Sequence, residues 1–113
     1  MQADLFDNEL DAAEDLNKKG YSRGAGAIAG VVLERHLETV CQNHKVNIPK
    51  NPTISKLYEL LKSADVIDIP TWRFIQHLGD LRNLCDHNKD KNPTDEQVNE
   101  LLEGVKKITK TVF

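Results

Sequence analysis

Thr71-Trp72-Arg73-Phe74-Ile75-Gln76-His77-Leu78-Gly79-Asp80-Leu81-Arg82-Asn83-Leu84-Cys85-Asp86-His87 spaces its apolar residues as a helix does. Phe74, Leu78, Leu81 and Cys85 recur at steps of three and four and share one face, while Gln76, Gly79, Asn83 and His87 fall on a second, more polar stripe. The spacing predicts a helix from Thr71 with one face in the core and the polar stripe turned away from it. Its last six residues, Arg82 to His87, gather groups suited to phosphate chemistry. A guanidinium grips a phosphate through two parallel hydrogen bonds, an imidazole moves protons near neutral pH, and a side-chain amide holds either in place. On a regular helix Asn83 and His87 share a face, but Arg82 is rotated from His87 by about 140°. One copy makes a poor closed site. Two copies facing each other across a two-fold axis bring two histidines and two arginines around one phosphate, so the motif points to a homodimer.

The remaining segments are helical as well. Leu5 to Lys19 begins with acids, ends in Lys18-Lys19 and is stopped by Gly20. Ser22 is placed to cap a second helix reaching about His44, with Ala25, Ile28, Ala29, Val32, Leu37, Val40 and Cys41 as its apolar positions. Gly24, Gly26 and Gly30 make its first half slim, which suits close approach of another backbone within one subunit or across a dimer interface. Asn47 to Pro52 reads as a loop, and Thr53 or Ser55 opens a short helix carrying Ile54, Leu57, Tyr58 and Leu61. Asp65 to Pro70 is the next turn. Asn88 to Pro93 is a polar loop, after which Thr94 and Gln97 form a capping box for a last helix with the stripe Val98, Leu101, Leu102, Val105, Ile108 and Val112. No alternating strand pattern is present, so the fold class is all-α: a single domain over residues 1–113, a bundle of four to five helices. A chain that opens almost directly into a helix is also what the C-terminal part of a longer polypeptide would look like.

Composition narrows the function classes. With 113 residues, 39% of them apolar and 29% charged, the chain suits one soluble domain and contains no run of the roughly 20 apolar residues needed to span a membrane. The N-terminus lacks a secretory pattern and two cysteines are too few for a disulfide scaffold, which makes the cytoplasm the expected compartment. A net charge of −3 argues against broad nucleic-acid binding, so RNA would need a local basic patch. Arg73, Arg82, Lys89 and Lys91 surround the hexapeptide in sequence and supply candidates, whereas acids crowd the first fifteen residues.

With these residues in place, the chain resembles the HEPN domains, small helical domains whose motif is Arg, usually followed by a polar residue such as Asn, with His a few positions on. Arg82-Asn83-Leu84-Cys85-Asp86-His87 fits that motif, and Gly24 to Arg35 and Gly79-Asp80-Leu81 add to the likeness, which covers roughly residues 21–113. The resemblance implies a dimeric, metal-independent endoribonuclease of toxin or defence type, needing no cofactor and held in check by an inhibitory partner protein or an adjoining domain. The implied chemistry is attack of a ribose 2′-hydroxyl on the adjacent phosphorus, leaving a 2′,3′-cyclic phosphate and a free 5′-hydroxyl. His87 would transfer protons, Arg82 would stabilise charge on the phosphoryl oxygens, and Asn83 would orient either; Glu34 and Asp86 are supporting candidates. The alternative is a non-catalytic module that binds nucleotides, dimerises or docks a protein.

Each residue also has a plainer reading. His87 suits a helix C-terminal cation, Arg82 and Asp86 are spaced for a surface pair worth about 0.3–0.5 kcal/mol, and Cys85 belongs with the apolar face. Trp72 suits a packing anchor, with base stacking as the functional option. His36, Cys41 and His44 do not share one helix face, which argues against a metal site.

Overall fold

Gly20 has φ +92°, a left-handed conformation open to glycine, and it closes the first helix: its N–H donates to the Asn17 carbonyl and the Tyr21 N–H to the Leu16 carbonyl. The computed structural model describes residues 2–87 and 92–113. They form α1 (Gln2–Lys18), α2 (Ser22–Asn43), α3 (Ile54–Ser63), α4 (Ile69–His87) and α5 (Asp95–Thr111), with no strand among the described residues. None of these helices is long and apolar enough to cross a membrane.

Three helix starts differ from the expectation, the first being that of α1, which begins at Gln2 rather than Leu5. Ser22 does not cap α2: Tyr21 occupies the cap position without a side-chain hydrogen bond. The Ser22 hydroxyl is instead buried 3.0 Å from both Asn17 Oδ1 and Asp95 Oδ1, sharing its one proton between them, and Asn17 Nδ2 donates to the Asp95 carbonyl. The serine thus fastens the α1–α2 corner to the start of α5. The motif helix begins at Ile69 rather than Thr71, because Pro70 in a first turn loses no intrahelical hydrogen bond and Asp68 Oδ1 accepts from the Thr71 N–H at 2.9 Å. Thr53 caps α3, accepting from the Lys56 N–H, and Thr94 with Gln97 forms the expected capping box on α5. Of the expected loop from Asn88 to Pro93, only Asn92 and Pro93 lie within the described residues.

The helix α2 packs against each of the other four, and α3 completes the bundle against α4. Leu10 of α1, Leu33 and Leu37 of α2, Leu57 and Leu61 of α3, Ile75 and Leu78 of α4, and Leu101 and Leu102 of α5 are fully buried. Each contributes about 1.5–3 kcal/mol relative to an exposed side chain. In α4 the predicted core face holds at Leu78, Leu81 and Cys85 and differs at its first position: Ile75 is fully buried, whereas Phe74 is half-buried with the Lys107 ammonium over its ring.

Gly26 and Gly30 set the distance between α2 and α4. A Cβ on Gly26 would lie 2.8 Å from Cys85 Cβ, and one on Gly30 would lie 2.7 Å from Arg82 Cγ. These contacts lie within one chain. They also fix direction, since the residue later in α2 meets the residue earlier in α4, so the helices run antiparallel. Gly24 faces open space. The Gly26→Ala variant should therefore lose about 1–3 kcal/mol by overpacking against Cys85, while Gly24→Ala should gain up to about 1 kcal/mol of helix propensity. Thermal unfolding of the two variants checks the opposite signs.

His36 of α2 is 4% exposed, with Nε2 2.6 Å from the Val112 carbonyl oxygen and its ring edge-on to Phe6. Burial pushes its pKa below the ordinary 6.5, opposed in part by the Val112 and Ile108 carbonyls. The folded chain then holds fewer protons than the unfolded one near that pH, so stability is present above pH 6.5 and falls as pH drops through it. Denaturant unfolding at pH 7.5 and 5.5 should show the loss, and His36→Leu should reduce the pH dependence.

Candidate functional site

The motif at the end of α4 is built on α2. With no side chain at Gly30, the Arg82 stem lies directly on the α2 backbone, which leaves Arg82 about two-thirds buried. Its Nε is 3.0 Å from Asp86 Oδ2, one turn on, with the Asp86 side chain buried to a similar degree. The Nε–H does not point at that oxygen, so the contact is a charge pair, and the buried Nε has no hydrogen-bond acceptor among the described residues. Asp86 and Gly30 together hold the guanidinium in place. An incoming phosphate would have to compete with Asp86 for it.

Cys85 is buried against Gly26, as its place in the apolar face implied, and burial pushes its thiol pKa up, with Asp86 adding to the rise. A raised thiol pKa disfavours a thiolate nucleophile. Asn83 is exposed beside Arg82. Both border a cleft of about 260 Å³ between α3 and α4 that is also lined by Thr53, Tyr58, Gln76 and Asp80. The polar stripe thus opens onto this cleft rather than onto a bare surface. His87 is the last residue of α4, and its side chain lies outside the described residues, as do Lys89 and Lys91.

Other candidates lie apart from the motif. Arg73 is exposed, nine residues before Arg82, which is about 13 Å along the axis and half a turn around the helix. It does not join the motif surface. Glu34 is half-buried one turn beyond Gly30 on the same stripe of α2. Trp72 is half-buried, its N–H donating to Glu59 Oε1 and one ring face covered by the Lys62 ammonium at 3.7 Å, which makes it a tie between α3 and α4. His77 pairs with Glu100 of α5. His36 and His44 face the Val112 and Phe113 carbonyls, and no group of three His, Cys, Asp or Glu side chains among the described residues is arranged to hold a metal.

Arg23 is a site residue that the sequence did not disclose. From the first turn of α2 it donates through Nη1 to the Cys85 carbonyl at 2.8 Å and through Nε to Asn92 Oδ1 at 3.1 Å. The Cys85 carbonyl lies in the last turn of α4 as described, where a cation favours the negative end of the helix dipole. Arg23 thus anchors the turn that carries Asp86 and His87. No local pattern links positions 62 apart in the chain, and a basic residue before a glycine is too common to mark such a contact.

Replacing Arg23 by Met keeps the stem and removes the charge-assisted bond, which typically contributes about 1.5–3 kcal/mol. Amide hydrogen exchange of Leu84 to His87 should then quicken while that of the α2–α5 core stays slow; unchanged exchange would show that Arg23 does not hold this turn. No known family model, curated protein or solved structure matches the chain.

Proposed function

We propose that this domain is a HEPN-like, metal-independent endoribonuclease of toxin or defence type that works as a homodimer. The observation that carries the reading is the seating of Arg82 on Gly30, with Asn83 beside it and His87 closing the same helix. In the reaction a histidine removes the ribose 2′-hydroxyl proton, the 2′-oxygen attacks the adjacent phosphorus, and a second histidine protonates the departing 5′-oxygen. The products are a 2′,3′-cyclic phosphate and a 5′-hydroxyl. Arg82 stabilises charge on the non-bridging oxygens, and Asn83 orients His87 from one turn away.

Because each copy carries one motif histidine, which diverges from Arg82 by about 140° on the same helix, the base and the acid come from two copies. Gly24, Ala27 and Val31 form an exposed small and apolar stripe on α2, one residue from the Gly30–Arg82 contact, and offer a surface for the second copy. Asp86 keeps Arg82 preset in the free enzyme and yields it to the phosphate. An inhibitory partner or an adjoining domain covers the site until cleavage is required, in the cytoplasm.

The Arg82–Asp86 pair also favours a second reading, since a guanidinium already facing a carboxylate suits a module that binds nucleotides weakly or serves only in dimerisation or protein docking. The two readings differ in their products. Purified protein incubated with mixed RNA in EDTA should release fragments with cyclic phosphate ends, and Arg82→Ala and His87→Ala should each slow this by at least about 10²-fold. Gly30→Ala, whose Cβ would meet the Arg82 stem, should lower cleavage, with circular dichroism checking that the helix content is kept. Undiminished cleavage by both folded alanine variants would remove the catalytic assignment.

A further inference from the structure

We infer that the cleft between α3 and α4 is a subsite for a single nucleobase, held by the amides of Gln76 and Asn83 and the hydroxyl of Tyr58 while the attached phosphate rests on Arg82. The inference builds on the reading of Arg82 as a phosphate ligand. Its first support is adjacency: Arg82 and Asn83 stand on the rim of one cleft with Tyr58 and Gln76 on the same lining, so a charged grip and a neutral hydrogen-bonding surface adjoin as phosphate and base do in a nucleotide.

Charge is the second support. Apart from Arg82, the charged group on the lining is the Asp80 carboxylate, which disfavours an anion inside the cleft and leaves a neutral heterocycle as the fitting occupant. Each carboxamide offers an N–H donor and a carbonyl acceptor, the pattern that base edges present. Burial first, then Glu59 and Asp80, raise the Tyr58 phenol pKa, and a hydrogen bond with Gln76 opposes the rise. The phenol therefore remains a donor at neutral pH. At about 260 Å³ the cleft is smaller than pockets for drug-sized ligands, about 300–1,000 Å³, and admits one ring system rather than a stacked pair.

Gly79 is the third support. A Cβ on Gly26, Gly30 or Gly104 would collide with a neighbouring helix, but one on Gly79 would stand 3.7 Å from Ile54 Cγ2 and 3.9 Å from Tyr58 Cε2, an ordinary contact. Packing does not require glycine there, although glycine inside a helix is unfavourable. What its absent side chain leaves is room on the cleft floor.

The test is an NMR titration of the ¹⁵N-labelled chain with the four nucleoside 3′-monophosphates and with inorganic phosphate. At least one nucleotide should bind about tenfold or more tightly than phosphate and shift the Gln76, Gly79 and Asn83 amides. Gln76→Ala should reduce that advantage about five- to tenfold, as loss of one hydrogen bond would, and Gly79→Leu, shown by circular dichroism to keep its helix content, should abolish it. Nucleotides that bind no better than phosphate, or an advantage that survives both variants, would overturn the subsite. Cleavage of mixed RNA in parallel keeps the two inferences apart: cleft binding without cleavage defeats the nuclease and spares the subsite, and cleavage without base-dependent binding does the reverse.

Discussion

The close approach of α2 and α4 at Gly26 and Gly30 is the constraint on which the rest of this domain depends. Because α2 touches every other helix, its distance from α4 sets the space that α3 and α5 must fill. The two glycines let Cys85 and Arg82 rest on the α2 backbone, and one contact serves packing while the next serves charge. Cys85 adds an apolar group to the core. Arg82, one turn earlier, keeps its stem dry while its guanidinium reaches the edge, a division that long cationic side chains accommodate well. A bulkier residue at either glycine would move the helix or the arginine, so the geometry of the motif is inseparable from that of the bundle.

The electrostatics of this edge are nearly balanced. The C-terminal end of a helix repels anions, and α4 places its motif there. Arg23 offsets that field by capping the Cys85 carbonyl from α2, whereas Asp86 draws Arg82 back toward neutrality. A chain of net charge −3 with its candidate site in such surroundings has little general attraction for polyanions. Recognition would then have to come from a few directed contacts, and the neutral amides beside Arg82 are the available groups. Sequence proximity alone pointed to a different picture, in which Arg73 widened a basic patch. Half a turn of helix separates it from Arg82, and residues near in sequence need not share a surface.

What could be read in advance follows the range of the interactions. Periodicity and turn chemistry act over a few residues, so the all-helical class, a start of α3 at Thr53 or Ser55, the Thr94–Gln97 box and the Gly20 stop were legible. The ends of α2 near His44 and of α3 just before Asp65 were legible too, although Lys45 at φ 57° and Asp65 at φ 57° take the left-handed position usually given to glycine. Ser22 looked like a cap because its type and position suit one, yet a buried bond to Asp95, 73 residues away, won the hydroxyl. Ile75 replaced Phe74 in the core for a similar reason, since the facing helices decide which edge of an apolar stripe is sealed. Of the candidate site, the residue types were visible, but Arg23, the seat of Arg82 on Gly30 and the cleft opposite Asn83 arise from helix pairings that no short pattern encodes.

The same distinction bears on how the motif can act. Arg82 faces α2 and Asn83 faces the α3–α4 cleft, although they are adjacent in sequence, because successive helical residues diverge by about 100°. Within one subunit this divergence separates a held phosphate from any proton-transfer group on the His87 side of α4. It is an advantage only if the substrate bridges those directions, with its phosphate at Arg82, its base in the cleft, and the group that completes the reaction presented from outside the subunit. A second copy related by a two-fold axis would meet that demand, because the symmetry that brings its motif near also reverses the direction of its helix. On the proposed reading, the shape of α4 therefore does more than carry a motif: by pointing adjacent residues in different directions, it would let an isolated protomer bind while leaving cleavage to a pair.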